Sequence, residues 1–231
     1  MREIITDEEK LSIRCDEVEP RKENKIMREI IIELKKVMRE KGLPSLSANQ
    51  LGYDKRIFCI AFKNGNDIRS YVNPIIVNAK GLELSREFCS SLPDKQFIRP
   101  RNNEIITTFM TPLGKVETQK FVGRAAIVFQ HELDHLEGIL LSDIGLEIDE
   151  DFDNATDEER EEVIKYYLES LDLKEKELNK EIEETPELKQ ISNAIDFMEK
   201  VQKGEINVEY ETVKVIKEEK GEDGNDNKDT D

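Results

Sequence analysis

Between Asn24 and Lys41 the apolar residues Ile26, Ile30, Ile31, Leu34, Val37 and Met38 return at three- and four-residue spacing, which predicts an amphipathic helix stopped by Gly42. A small-residue, turn-rich segment, Leu43 to Gln50, leads into an apolar run at 56–63 that reads as a strand. Val72 to Val77 reads as an irregular or edge strand, because Asn73-Pro74 lies inside it and proline cannot donate to a ladder. Residues 82–92 alternate weakly before a turn signal at Pro93-Asp94. Glu104 to Met110 is β-branched and aromatic, and Pro112-Leu113-Gly114 should turn it back into a partner strand at 115–121. A largely apolar helix follows, carrying Ala125, Ala126, Ile127, Val128, Phe129, Leu133 and Leu136.

One early helix, several short antiparallel strands and one late helix packed on them describe an α+β domain over 1–148. Beyond it, Thr156 and Glu159 have capping-box spacing, with a stripe of Val163, Ile164, Tyr167, Leu168 and Leu171 behind them. Thr185-Pro186 opens a second helical pattern that ends at Gly204, and Ile206, Val208 and Tyr210 alternate like a short strand. The expected division is therefore a domain at 1–148, an acidic, mainly helical extension at 149–217, and a tail at 218–231. The tail has no apolar residue and is expected to be disordered.

Charge sharpens that division. Residues 1–148 hold 23 acidic and 23 basic residues, whereas 149–231 hold 29 and 12, so the entire net charge of −17 belongs to the extension. Direct nucleic-acid binding by the extension is excluded on that ground. No apolar run reaches the length of a membrane span, and the first residues lack a basic segment followed by an apolar one, so a cytoplasmic protein is expected. Three cysteines, Cys15, Cys59 and Cys89, argue against a disulfide framework.

The chemistry concentrates in Gln130-His131-Glu132-Leu133-Asp134-His135-Leu136-Glu137-Gly138, which holds both histidines of the chain. On a helix, four residues at about 100° each return His135 to the face of His131, where two imidazoles can share a metal ion. Glu132 then stands where a carboxylate can take a proton from water, as in an H-E-x-x-H site. A single histidine on such a helix would read as a packed core residue. Two with an interposed glutamate do not, because three buried ionisable groups are costly unless paired or ligated. The third ligand is open to a glutamate or a cysteine; Cys89, in Arg86-Glu87-Phe88-Cys89-Ser90-Ser91-Leu92-Pro93, is the candidate by context.

These residues resemble the peptide deformylase family, whose signatures are a glycine-rich segment ending in glutamine, an E-G-C-L-S segment and Q-H-E-x-D-H-L-x-G. The last is complete from Gln130 to Gly138. The second keeps Glu87, Cys89, Ser91 and Pro93, with Phe88 for glycine and Ser90 for leucine. The first keeps Leu46, Ala48 and Gln50, with Leu43 and Ser45 at glycine positions and Ser47 at an alanine position. The resemblance covers 1–148 and implies antiparallel sheets around a central metal-binding helix. It also implies one divalent ion on Cys89, His131 and His135, usually Fe²⁺, with Zn²⁺, Ni²⁺ or Co²⁺ as substitutes. Glu132 would be the general base, and Gln50 with the Ser90 backbone N–H would be the oxyanion donors. Ser45, Leu46, Glu87, Phe88, Ile127 and Val128 would bound the substrate site, the last two as walls of a methionine slot. The implied substrates are N-formylmethionyl nascent peptides at the ribosome. The extension matches no family, and its helical stripes are open to packing back on the catalytic domain, to pairing with another chain as an oligomer, or to docking on a basic partner such as a ribosomal protein. A zinc peptidase with a glutamate ligand and a deformylase-like module kept for binding are the rival readings.

Overall fold

The computed structural model describes residues 2–63 and 65–184, and the patterns expected for 185–231 lie outside them. A short helix α1 (Glu8–Leu11) precedes α2 (Pro20–Lys41), which starts on a proline and ends on Gly42 in the left-handed conformation. The strands are β1 (Ser45–Ser47), β2 (Ile57–Phe62), β3 (Asp67–Cys89), β4 (Leu92–Met110), β5 (Val116–Val122) and β6 (Leu146–Ile148). Helix α3 (Arg124–Glu137) follows β5, while α4 (Leu141–Ile144), α5 (Glu150–Asn154) and α6 (Asp157–Glu184) flank and follow β6. All strand pairings are antiparallel, in the order β1-β2-β3-β4-β5, with β6 added to β4.

The sheet carries a core on either side. On one, the stripe of α2 (Met27, Ile30, Leu34, Val37, Met38) packs with Leu46, Ile57, Cys59 and Val72. On the other, Phe58, Tyr71, Phe109 and Phe121 close on Ala126, Phe129 and Leu136 of α3. Edge-to-face rings at 4.9 Å (Phe58–Phe129) and 4.7 Å (Tyr71–Phe109) fix that second layer. The two cores together hold β1, β3 and α3 at fixed spacings, and those elements carry the site.

Of the two readings of Val72–Val77, irregular or edge, the first holds: the segment lies within β3 between β2 and β4, with register shifts at Val72/Ile75 and Ile76/Asn78. Its edge alternative and the position of the next turn are corrected. Pro74 is accommodated because the register slips between Val72↔Met110 and Ile75↔Thr108, so that no ladder bond is asked of its nitrogen. The turn after β3 falls at Ser90–Ser91, not at Pro93-Asp94, which lie inside β4.

In the extension, the Thr156–Glu159 capping box is formed at the start of α6, with Thr156 N–H on Glu159 Oε2 at 2.8 Å and Glu159 N–H on Thr156 Oγ1 at 3.3 Å. The chain divides into compact units at Tyr167/Leu168, within α6. The charge shift at Asp149 thus precedes the end of the first unit, where Tyr167 Oη donates to the Ile144 carbonyl at 2.7 Å. The apolar stripe behind the capping box is only partly covered: Val163 is 42% exposed. No helix among the described residues is long and apolar enough to cross a membrane.

Gly138 shows why α3 must end on glycine. Its φ is +74°, and a Cβ there would lie 2.5 Å from the Ser12 carbonyl oxygen and 2.7 Å from its carbon. Left-handed backbone strain and a clash with main chain act together, so Gly138→Ala is expected to cost about 2 kcal/mol or more. A denaturant midpoint within error of wild type would contradict this account of the position.

Candidate metal centre

Alternation along β3 builds one wall of the site. Ser85, Glu87 and Cys89 face inward and are buried, while Leu84, Arg86 and Phe88 face out. Helix α3 supplies the other wall. Cys89 Sγ lies 3.2 Å from His135 Nε2, and the ligand atoms of Cys89, His131 and His135 all fall within 4.8 Å of one another. A soft thiolate and two imidazoles converging in a buried place form a donor set suited to Zn²⁺ or Fe²⁺.

The histidines are prepared for that role in different ways. Burial and the neighbouring His131 push His135 well below the ordinary imidazole range, which keeps it neutral and able to donate a lone pair. Burial also opposes charge on His131, but hydrogen bonding to Cys89 and Glu87 outweighs it and raises its pKa to about 10. A metal ion would therefore compete with a proton for the Nε2 of His131, since Nδ1 is engaged by Glu87 Oε2 at 2.9 Å.

Glu87 lines the cavity beside the ligand cluster and is at the same time held in a buried network. Arg101 of β4 grips it through two bonds, Nε to Oε1 at 2.7 Å and Nη2 to Oε2 at 2.9 Å. The same guanidinium reaches Asp134 Oδ2 at 2.6 Å, and Arg99 pairs with that oxygen too. Burial would raise Glu87, yet its bonds to His131 and Arg101 hold it at about 2. The chain Asp134–Arg101–Glu87–His131 thus fixes one imidazole from three elements.

The polar members of Gln130–Gly138 outside the ligand set also have structural tasks. The Gln130 carboxamide accepts from Asn102 N–H at 3.0 Å and donates to its carbonyl at 2.7 Å, which docks α3 on β4. Glu137 pairs with the buried Arg56 at 2.6 Å. Glu132 is 2% exposed; burial raises its pKa, opposed by the charge of His131 and the hydroxyls of Ser45 and Ser47. A raised carboxylate of this kind is suited to taking and returning a proton.

Gln50 completes the constellation. Its Oε1 accepts from Ser47 N–H at 2.9 Å, which turns Nε2 toward Ser91 Oγ at 3.0 Å, Ser90 Oγ at 3.3 Å and Cys89 Sγ at 3.7 Å. Asn49 Nδ2 donates to the His135 carbonyl at 2.6 Å. Beside the cluster lies a cavity of ≈ 510 Å³ whose lining includes Ser45, Arg86, Glu87, Phe88, Arg124, Ile127, Val128 and His131. Leu46, expected at the substrate site, is fully buried in the α2 core; its neighbours Ser45 and Ser47 point the other way. Sequence reasoning missed Arg101, Asp134 and Ser47. Two arginines at alternating positions of one strand, Arg99 and Arg101, were the available signal for inward charge.

Residues 1–147 match the polypeptide deformylase family. The peptide deformylase of Karelsulcia muelleri is 37% identical over 107 residues, covering 45% of this chain and 56% of that protein. Peptide deformylase 1 of Clostridium perfringens is 33% identical over 143 residues, covering 60% of this chain and 93% of its own length. Among solved structures, a probable peptide deformylase from synechococcus phage S-SSM7 superposes with TM-score 0.58 at 33% identity, over 62% of this chain and 99% of that one. The Thermotoga maritima peptide deformylase gives 0.56 at 28%, over 62% and 96%.

Proposed function

Since this chain belongs to the polypeptide deformylase family, we propose that its site hydrolyses the formyl amide of N-formylmethionyl peptides, yielding formate and a free amine. The observation that carries the reading is the buried convergence of Cys89, His131 and His135 beside Glu132 and Gln50. A thiolate in that set argues against the zinc-peptidase alternative, and Fe²⁺ is the ion we assign in the cell. When bound, a divalent ion supplies a Lewis acid for the formyl oxygen and acidifies water.

The protein's own groups do the rest. Glu132 takes the proton of the attacking water as the new C–O bond forms at the formyl carbon. Gln50 Nε2 and the Ser90 backbone N–H donate to the oxygen that gains charge. Glu132 then returns its proton to the leaving nitrogen as the C–N bond breaks. The slot between Ile127 and Val128 takes the methionine side chain, with Ser45 and Phe88 at its mouth selecting among second residues of the peptide. Phe88 is 64% exposed, so it is available to substrate without rearranging Cys89 behind it.

Nascent peptides are the natural source of this substrate, and binding at the ribosome or self-association would fall to the acidic extension. The test uses a formyl-methionyl peptide and mass analysis of the product. Loss of the formyl group alone, with every peptide bond intact, is expected. Cleavage at an internal peptide bond would favour a peptidase, and metal binding with no product would favour a binding module.

A further inference from the structure

Besides His131, the cavity beside the metal centre is lined by three charged side chains, Arg86, Glu87 and Arg124. Two of them are already paired. Glu87 is gripped by Arg101 at 2.7 and 2.9 Å. Arg86 places Nη2 2.8 Å from both carboxylate oxygens of Asp153 and donates from Nε to Gln96 Oε1 at 2.8 Å. Arg124 differs: among the described residues no carboxylate pairs with it.

Its place on the helix does not compensate for the missing partner. Arg124 is the first residue of α3, the N-cap Gly123 has no side chain to offer, and the first turn holds no acidic residue. A guanidinium there adds to the positive end of the helix dipole instead of offsetting it. One end of the cavity is therefore positive, and a carboxylate entering it meets both fields.

Distance along α3 indicates which part of a substrate arrives there. Ile127 and Val128 follow Arg124 by three and four residues, hence on its face, and His131 follows by seven. Arg124 thus stands about 10 Å from His131 along the helix. A peptide with its formyl carbon at the metal centre and its methionine between Ile127 and Val128 climbs about 3.3 Å per residue when extended. Its third residue then lies about 7 Å beyond methionine, with its side chain turned to the same side by strand alternation. The second side chain turns the other way, toward Phe88. The reach of Arg124 matches the third residue.

We propose that Arg124 is a specificity-determining residue that favours an acidic side chain at the third position of the formyl-methionyl peptide, an assignment that rests on the deformylase reading above. Guanidinium and carboxylate match through two parallel N–H donors, a fit that a lysine or a neutral side chain lacks. Arg124 is exposed, so water and salt screen the pair and bound the size of the preference.

The experiment measures kcat/KM for formate release by the metal-loaded full chain on formyl-Met-Ala-X-Ser peptides, where X is Glu, Gln or Lys. The peptides are amidated, so the side chain at X is the sole source of a carboxylate. A ratio of two peptides on one enzyme preparation cancels any partial loss of fold or metal. In the wild type at low ionic strength, Glu is expected to exceed Gln about threefold or more, with most of the advantage gone in about 1 M salt. Arg124→Gln should bring that ratio to about one, and Arg124→Glu should reverse the order of Glu and Lys. Arg86→Gln should keep the wild-type ratio, because Arg86 is committed to Asp153. A wild-type ratio near one overturns the proposal, as does a ratio that survives in Arg124→Gln or is lost in Arg86→Gln instead. A larger advantage for Glu at the second position than at the third overturns it too. A wild-type chain that deformylates none of the peptides overturns the deformylase reading itself and this proposal with it, a result distinguishable from any of these.

Discussion

Replacing Glu132 with alanine is expected to lower kcat for formate release by roughly 10²–10⁴-fold, the range for a positioned general acid–base group, while metal content stays at the wild-type level. Glu132 is not within the Cys89–His131–His135 ligand set, so removing it leaves the donors in place. The carboxylate is 2% exposed and is bonded to Ser47 across α3 and β1, so water cannot simply replace it from bulk. Glu132→Gln should fall as far as Glu132→Ala, because the amide keeps the shape and the Ser47 partner but cannot accept the water's proton. A Glu132→Gln enzyme with more than about a tenth of wild-type kcat would remove this residue from proton transfer and leave it a positioning role only.

The second large effect is on stability. Arg101→Met, which keeps the length of the stem, should destabilise the protein by about 3–5 kcal/mol, because it leaves Glu87 and part of the Asp134 charge buried without their partner. Arg101 is 3% exposed and makes close ion-pair contacts to Glu87 Oε1, Glu87 Oε2 and Asp134 Oδ2. The loss should be greatest at neutral pH. Glu87 is held at about 2 in the folded state against an ordinary 4.5, so its stabilising contribution is complete above the higher value and disappears as pH falls toward the lower one. Metal affinity should drop with it by about 10- to 100-fold, since the carboxylate that orients His131 loses its own anchor. Denaturant unfolding and competition with a chelator measure the two losses. A variant as stable as wild type that binds metal as tightly would mean that the network is dispensable.

The site was largely legible in the sequence because its chemistry is local. His131, Glu132 and His135 sit within five residues on one helix, and helical periodicity alone puts the two imidazoles on one face. Cys89 needed more, since its polar context made it a candidate ligand but a glutamate stayed open until the family resemblance connected it with residues more than forty positions away. Arg101 and Asp134 were silent for a physical reason. Their pairing depends on how β4 lies against α3, which is a register and packing outcome that no spacing encodes. The long helix α2 was plain from its apolar period, whereas Pro74 left β3 open between an irregular and an edge strand, because sequence does not show that a register shift lets proline occupy an interior strand. Leu46 was assigned to the substrate site with Ser45, yet alternation on β1 sends its side chain into the core and leaves Ser45 and the unassigned Ser47 at the site.

The central claim joins a metal bound by Cys89, His131 and His135 to hydrolysis of a formyl amide. It is tested most directly by stripping the protein of metal and titrating it anaerobically with Co²⁺ while following formate release from a formyl-methionyl peptide and the thiolate-to-metal absorption together. Both signals should rise in parallel and level off at about one ion per chain, and Cys89→Ala should abolish the absorption. Saturation of the thiolate signal at one ion with no formate released would contradict the claim.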